Sequence, residues 1–131
     1  MVKFINEQDF RDDVKKLSDA IKNKNMIPIV LFGENGIGKS PVIHNIAGNE
    51  AHETYKYYGN HKDISSKIKE MTKEALNRGF NHERNDRPIQ HIFSVNDEAF
   101  FEAIQSSGLF RCYRMRRTRH EILTKVLADK L

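Results

Sequence analysis

Apolar residues recur at helical spacing in five stretches of the chain, and each of these stretches predicts a helix. The clearest case lies near the N-terminus, where Phe10, Val14, Leu17 and Ile21 fall on one helical face. A face of this kind indicates a helix that packs on a core with one side and meets water with the other. The predicted helices cover residues 9–21, 40–47, 62–76, 96–105 and 118–131.

Short apolar runs between these helices predict β-strands. Three runs cover residues 26–32, 89–95 and 109–115, whereas residues 53–59 fit either a strand or a loop. Strands that alternate with helices favour a layered α/β fold with a mainly parallel sheet, here of about four strands. No repeat or linker interrupts the pattern, so residues 1–131 are predicted to form one domain.

Residues with strong capping preferences mark several helix ends. Gly48 and Gly79 are predicted to end the second and third helices. Asn96 is a plausible N-cap for the fourth helix. Thr118 and Glu121 have the spacing of a capping box at the start of the fifth. These signals supply one boundary for each of four helices.

The composition is that of a soluble domain without a membrane segment. The chain has 131 residues, 38% of them apolar and 31% charged, and no apolar run approaches the roughly 20 residues that span a bilayer. Cys112 is the only cysteine, which excludes an internal disulfide and favours a cytoplasmic setting. The six histidines show no zinc-site spacing, so no zinc site is expected.

Positive charge is concentrated near the C-terminus, although the net charge is only +4. Five arginines fall within ten residues in the run from Arg111 to His120. Such a run is a solvated face, an edge that contacts phosphate, or a nucleic-acid patch. Nucleic-acid binding through Arg111–Arg119 is not favoured, because the chain as a whole is not strongly basic and the run lacks the interleaved aromatics of a single-strand binder.

Residues 33–40, GENGIGKS, carry the clearest chemical signal in the sequence. They fit the pattern G-x-x-x-x-G-K-[ST], with an apolar strand predicted before them and a helix after them. In such a loop, backbone N–H groups and a helix N-terminus surround phosphate groups. Lys39 is predicted to reach the β- and γ-phosphates of ATP, and the Ser40 hydroxyl to bind Mg²⁺. The predicted nucleotide-binding residues are Gly33, Glu34, Asn35, Gly36, Ile37, Gly38, Lys39, Ser40 and Pro41.

Two features weaken the expectation of a working ATPase. Pro41 follows the serine and has no N–H to offer to a phosphate, and losing one charge-assisted hydrogen bond costs roughly 1.5–3 kcal/mol. Hydrolysis also needs an acid at the end of a buried strand. The only candidates are Asp97 and Glu98, and because the polar Asn96 interrupts the apolar run before them, favourable charges at a helix N-terminus are the preferred interpretation.

With these motifs in place, the chain resembles the AAA+ family, in particular the first ATPase module of Clp-type protein unfoldases. Residues 14–47 look like the helix, turn, strand and Walker A segment that open such modules. Residues 93–115 look like the sensor-1 strand, the helix after it and the arginine-finger segment. The resemblance implies a small three-layer P-loop NTPase fold that binds ATP and Mg²⁺. It also implies that Asn96 occupies the sensor-1 position and Arg111 the arginine-finger position.

The resemblance extends to a segment that grips substrate in such modules. The sequence KYYG, followed by a predicted helix, is similar to their Lys-Tyr-x-Gly pore loop. By this similarity Tyr57 falls at the pore-loop tyrosine, although sheet packing is an equal alternative for the tyrosines here. The residues concerned are Lys56, Tyr57, Tyr58 and Gly59.

The chain departs from the family at elements that active modules need. A Walker B strand with its Asp-Glu pair would lie between Gly79 and Pro88, where the sequence is polar, and Cys112 replaces a paired finger arginine. No helical lid domain follows within the sequence. The expected function is therefore an ATP- and Mg²⁺-binding module with weak or absent hydrolysis.

Such a module is expected to act through protein partners or self-association, as a regulator or inhibitor of AAA+ machines. Two alternatives remain. The first is a small P-loop kinase that acts on a nucleotide or small molecule with help from the arginine run, and the second is a basic nucleic-acid-binding protein.

Overall fold

The structure is a computed structural model that describes residues 3–22, 27–34, 36–47, 52–58, 62–81, 83–84, 87–88 and 90–129. The helices are α1 (Glu7–Lys22), α2 (Lys39–Ala47), α3 (Ile64–Asn81), α4 (Glu98–Ser107) and α5 (His120–Ala128). The strands are β1 (Ile29–Phe32), β2 (His52–Tyr57), β3 (Glu83–Arg84), β4 (Arg87–Pro88), β5 (Gln90–Val95) and β6 (Arg111–Arg114).

Four parallel strands form the central sheet in the order β2-β5-β1-β6. Val30 of β1 lies opposite Phe93 of β5 on one side and Cys112 of β6 on the other. The chain leaves β1 for β2, returns to β5 beside β1, and then crosses to β6 on the far side. Because the strands are parallel, their carboxyl ends meet at one edge of the sheet. The connections between strands change direction across the sheet at β1, and α/β folds generally bind ligands at such a point.

Helices cover both faces of the sheet. Residues of α1, α2 and α5 form one core cluster with Ile29 and Leu31 of β1. Residues of α3 and α4 form the other cluster with Val30 and Phe32. Successive side chains of β1 therefore enter opposite cores, which explains why this strand is a continuous apolar run. The three-layer α/β fold predicted from the alternation of helices and strands is confirmed.

The apolar face of α1 packs as its spacing predicts. Phe10, Val14 and Leu17 are each at most 1% exposed. On the opposite side of the sheet, Phe93 and Phe100 are completely buried. Residues 53–59, which fitted a strand or a loop, contain most of β2, so the strand interpretation holds for residues 53–57.

Two predicted helix caps are wrong. The N-cap of α4 is Asp97 rather than Asn96, and its carboxylate accepts a hydrogen bond from Phe100 N at 2.9 Å. Thr118 does not cap α5, because it forms a β-bridge with Ile5 and its hydroxyl donates to the Ile5 carbonyl at 3.1 Å. Arg119 precedes α5 without a side-chain capping bond. A tertiary partner has displaced the local capping box.

Further boundaries differ in the middle of the chain. Helix α3 continues through Gly79 to Asn81, so this glycine does not end the helix. The polar segment that follows contains the short antiparallel pair β3 and β4, in which Glu83 lies opposite Pro88. Gly48, the predicted stop of α2, lies outside the described residues. Among the described residues, no helix is both long enough and apolar enough to cross a bilayer.

Candidate phosphate-binding site

The glycine loop, defined here as residues 33–40, connects the carboxyl end of β1 to the start of α2, and all of it except Asn35 lies within the described residues. Its first residue is fixed to the neighbouring strand, because Gly33 N donates to the carbonyl of Val95 at 3.1 Å. Gly36 and Gly38 have φ angles of 78° and 97°. Residues with a Cβ atom rarely adopt such φ angles, so the backbone path of the loop favours glycine at both positions.

The loop also packs closely against its surroundings. A Cβ atom at Gly38 would lie 2.8 Å from Cδ2 of Leu123 in α5, closer than side-chain carbons approach. A Cβ atom at Gly33 would collide with the side chain of Ile37. At Gly36, by contrast, no atom lies within 4 Å of the position of such a Cβ. The loop is therefore packed closely at Gly33 and Gly38, while Gly36 faces open space.

Lys39 is the first residue of α2 and is only 4% exposed. Its Nζ atom donates to the carbonyl of Gly33 and, at 3.4 Å, to that of Glu34. The ammonium also lies over the ring of Tyr58, 5.0 Å from its centre, in cation–π geometry. Burial lowers the pKa of Lys39 to about 8, a shift that the Glu34 carboxylate partly opposes. The fold thus keeps an ammonium group against the loop at a cost in desolvation.

A cavity of about 390 Å³ opens above the loop and the start of α2. The exposed Ser40 lies beside the buried Lys39 at its floor. Helix N-termini carry unpaired N–H groups and a partial positive charge, which favour anions at this position. Pro41 occupies the third position of the helix, where a proline breaks no helical hydrogen bond but supplies no N–H to a ligand. The cavity is lined by Glu34, Gly36, Gly38, Lys39, Ser40, Pro41, Lys56 and Tyr58.

The arrangement suits a phosphate chain with Mg²⁺ better than a metal ion alone. Among the described residues, no group of three or more His, Cys, Asp or Glu side chains is placed to hold a metal. Mg²⁺ usually keeps several waters and binds through substrate phosphates and few protein ligands. The Ser40 hydroxyl in the cavity fits that role, so the residues present are compatible with a Mg²⁺-bound nucleotide.

Asn96, the residue at the predicted sensor-1 position, lies beside the glycine loop. It directly follows β5, whose last carbonyl, that of Val95, accepts the hydrogen bond from Gly33. The acids after it are engaged elsewhere. Asp97 caps α4, and the Glu98 carboxylate accepts two hydrogen bonds from Arg114, at 2.7 and 2.9 Å, which lower its pKa. The predicted location of these two acids at a helix N-terminus is confirmed.

Arg111, the residue at the predicted arginine-finger position, lies away from the loop. It begins β6, and its backbone N–H donates to the Pro28 carbonyl at 2.9 Å, at the amino end of the sheet. The length of β6, about 10 Å, separates it from the carboxyl edge where the loop lies. Arg111 therefore does not join the site formed by its own chain.

The pore-loop residues occupy two different environments. Lys56 and Tyr57 lie in β2 rather than in an exposed loop, and Tyr57 is only 9% exposed. Its ring contacts those of Phe93 and Phe100, so the alternative of sheet packing holds for Tyr57. Gly59 lies outside the described residues. The structure therefore lacks the exposed loop that the family resemblance implies at positions 56 and 57.

Lys56 and Tyr58, in contrast, line the cavity above the glycine loop. Neither residue was predicted from the sequence to lie at this site. Successive side chains of a strand point to opposite faces, so residues 56 and 58 must share one face and Tyr57 must lie on the other. This alternation was visible in the sequence. What the sequence did not reveal was that this face of β2 lies opposite the start of α2.

The arginine run is largely neutralised by acids from other parts of the chain. Arg114 pairs with Glu98, as described above. Arg116 makes two side-chain hydrogen bonds to Asp13, and Arg117 contacts Glu34 of the glycine loop at 3.1 Å. Arginine side chains that carry these ion pairs cannot contribute freely to a positively charged patch that binds nucleic acid. A second cavity, of about 470 Å³, lies between this segment and the loop and is lined by Lys3, Ile5, Phe32, Glu34, Ile37, Arg114, Met115, Arg116 and Arg117.

Cys112 shows no sign of reactivity. It is half-buried in β6, and burial raises the pKa of its thiol, which disfavours the nucleophilic thiolate.

Comparison with protein-family models, with curated proteins and with solved structures finds no significant match to this chain.

Proposed function

We propose that this protein binds ATP with Mg²⁺ through the glycine loop and hydrolyses it slowly or not at all. The observation that carries the proposal is the pairing of a buried Lys39 with an exposed Ser40 at the floor of one cavity. Burying a lysine costs stability through desolvation, and a fold commonly bears such a cost where a function needs the charge. A phosphate chain would bind that charge directly, while the hydroxyl completes the coordination of Mg²⁺.

The acids near the loop support weak turnover. Asp97 caps α4 and Glu98 is held by Arg114, so neither carboxylate is available to orient an attacking water without breaking existing hydrogen bonds. The position of Arg111 at the opposite end of the sheet leaves contact with a neighbouring molecule as its route to a phosphate. We therefore propose that the module works inside the cell through protein partners or self-association, as a regulator or inhibitor of AAA+ machines.

The experiment that tests nucleotide binding is calorimetric titration of the full chain with ATP and with a non-hydrolysable analogue, each with Mg²⁺. Wild type is compared with Lys39→Met, and Lys15→Met serves as the matched control because Lys15 is an exposed lysine on α1. The expected result is binding by wild type and by the control, and loss of binding in Lys39→Met. If wild type binds neither ligand, the proposal is wrong.

A phosphate-release assay on the same samples tests ATP hydrolysis separately from binding. Binding without release supports a module that acts through conformational or competitive effects on a partner. Sustained release that Asp97→Asn abolishes would overturn the assignment of weak or absent hydrolysis. Association with AAA+ proteins is tested by pull-down with purified subunits, and its absence would remove the regulatory role while leaving nucleotide binding intact.

A second candidate function, a small P-loop kinase, is supported by one observation. Arg114, Arg116 and Arg117 follow or end β6 at the same edge as the glycine loop, beside the cavity of about 470 Å³. An anionic acceptor that takes the place of one of the carboxylates paired with these arginines could bind there and receive a phosphoryl group from ATP. Transfer of labelled phosphate from ATP to a nucleotide or other small acceptor would select this function. The ion pairs of the same arginines argue against the third candidate, a nucleic-acid-binding protein, for which affinity would fall steeply with salt.

A further inference from the structure

The cavity above the glycine loop has a lysine on each of two different walls. Lys39 enters from the start of α2 and is buried against the loop. Lys56 enters from β2, the outer strand of the sheet, and is exposed. Among the described residues, Lys56 has no ion pair or hydrogen bond from its side chain. Its ammonium is therefore available to a ligand in a way that the paired arginines of the second cavity are not.

The register of the sheet explains how Lys56 reaches this position. Lys56 lies opposite Ser94 of β5, and Ser94 lies opposite Leu31 of β1, the residue two positions before the loop. Leu31 belongs to the core cluster that contains α2, so this row of side chains points towards the helix that follows the loop. Tyr58, two residues further along, lies on the same face and covers the Lys39 ammonium.

The charges around the cavity favour an anion with several negative groups. Among the described residues that line it, Glu34 is the only acid, and its carboxylate accepts a hydrogen bond from Arg117 at 3.1 Å. Two lysines remain to face a ligand. On the helix side, Pro41 removes one N–H that an ordinary residue would contribute. A second cation on the facing wall would offset that missing donor, since hydrogen bonds between charged groups are among the strongest in proteins.

We propose that Lys56 is a second phosphate-binding residue of this cavity, which contacts the phosphate chain from the β2 wall and makes the site selective for tri- and polyphosphates over a single phosphate. This inference rests on the proposed function, because it assumes that the glycine loop binds phosphate. By the family resemblance, Lys56 would belong to a pore loop that grips a protein substrate. The inference places it in the nucleotide site instead.

A plain alternative for Lys56 is a solvated lysine on an edge strand, where such residues discourage pairing with other chains. The two roles differ in what they predict. An edge lysine affects solubility and does not change the affinity for a ligand in the cavity of about 390 Å³ above the loop. A phosphate-binding lysine changes affinity in proportion to the negative charge of the ligand and leaves the fold unchanged.

The experiment titrates the full chain by calorimetry with inorganic tripolyphosphate and with orthophosphate, which contain no nucleoside. The variants are Lys56→Gln, which removes the charge, Lys56→Arg, which keeps it, and Lys15→Gln as the exposed control. Thermal unfolding verifies that every variant folds. We expect Lys56→Gln to weaken tripolyphosphate binding about tenfold or more, Lys56→Arg to stay within about threefold of wild type, and Lys15→Gln to bind as wild type does.

The outcomes separate this inference from the function on which it rests. If Lys39→Met abolishes tripolyphosphate binding while Lys56→Gln binds as wild type does, Lys56 is an edge lysine and the inference is wrong, although the phosphate site stands. If wild type binds neither tripolyphosphate nor ATP, both proposals fail. Equal weakening of orthophosphate and tripolyphosphate by Lys56→Gln would contradict the selectivity for longer chains.

Discussion

The Nζ atom of Lys39 lies 5.0 Å from the centre of the Tyr58 ring, so the ammonium is enclosed between an aromatic face and the carbonyl groups of the glycine loop. Neither partner carries a full negative charge. The ammonium is desolvated, and this is the main reason that its pKa falls to about 8. The acidic Glu34 and the basic Lys56 line the same cavity, and Glu34 partly opposes the shift.

The lowered pKa of Lys39 predicts that nucleotide binding depends on pH. The ammonium is charged below about pH 8 and neutral above it, so ATP affinity is full at lower pH and is lost as the pH rises through about 8. The terminal phosphate of ATP ionises near pH 6 and keeps a constant charge in this range, as a phosphoryl group generally does. Calorimetry at about pH 7 and about pH 9 measures the change.

A matched variant isolates the contribution of Lys39 to this pH dependence. Lys39→Arg keeps a positive charge at every pH of the experiment and should bind ATP with an affinity that changes little between the two pH values. Binding near pH 8 should also take up protons in wild type, which titrations in buffers of different ionisation enthalpy detect. A wild-type affinity that is equal at both pH values would contradict the role of Lys39.

Replacing Pro41 by alanine is predicted to tighten ATP binding. Alanine restores an N–H at the third position of α2, where the helix itself makes no use of it. A charge-assisted hydrogen bond is worth about 1.5–3 kcal/mol, or roughly a tenfold or larger gain in affinity. Titration of Pro41→Ala with Mg²⁺ and ATP measures this gain. Unchanged affinity in a variant that unfolds at the wild-type temperature would mean that the phosphates do not contact this part of the helix.

Alanine at Gly38 is predicted to destabilise the fold more than alanine at Gly36. Both residues have positive φ angles, which cost an alanine about 1–2 kcal/mol. Only at Gly38 would the new Cβ also collide with Leu123, whereas the space around Gly36 is open. Denaturant unfolding of the two variants gives the comparison. The double variant Gly38→Ala with Leu123→Ala should show a cost smaller than the sum of the two single changes, because the collision is removed.

The Asp13–Arg116 pair is predicted to contribute more to stability than the Glu98–Arg114 pair. The Asp13 side chain is 7% exposed and accepts hydrogen bonds from the Arg116 backbone and from two atoms of its guanidinium. Removing it in Asp13→Ala should cost about 1.5–3 kcal/mol. Glu98→Ala removes an exposed pair and should cost less than about 1 kcal/mol. Similar losses in the two variants would show that burial of Asp13 is not decisive.

The regular part of the fold was accessible from the sequence because it depends on periodic burial. The face formed by Phe10, Val14 and Leu17 determines where α1 lies, and the apolar run before Gly33 determines β1. The glycine loop was equally accessible, since the need for glycine at positive φ is a property of the backbone alone. The presence of each strand of the central sheet and the approximate limits of the helices follow from such patterns among residues that are neighbours in the chain.

Local signals failed where two rules competed. Asn96 and Asp97 are both good N-caps, and their order of preference does not decide between them. The capping box of Thr118 and Glu121 is a valid local signal, but the hydroxyl of Thr118 contacts the Ile5 carbonyl, 113 positions away in the chain. A distant contact of this kind leaves no trace in the residues around the helix start.

The sequence by itself determined the alternation of helices and strands, the glycine-rich turn and the identity of the Lys39–Ser40 pair, because each depends on residues that are neighbours in the chain. Only the tertiary structure decided that Lys56 and Tyr58 line the cavity above the glycine loop, that Arg111 lies at the opposite end of the sheet, and that three arginines of the run are paired with distant acids. The physical reason is the strand order. Placing β5 between β1 and β2 sets the side chains of β2 across from α2, and a pattern of nearest neighbours carries no information on that choice.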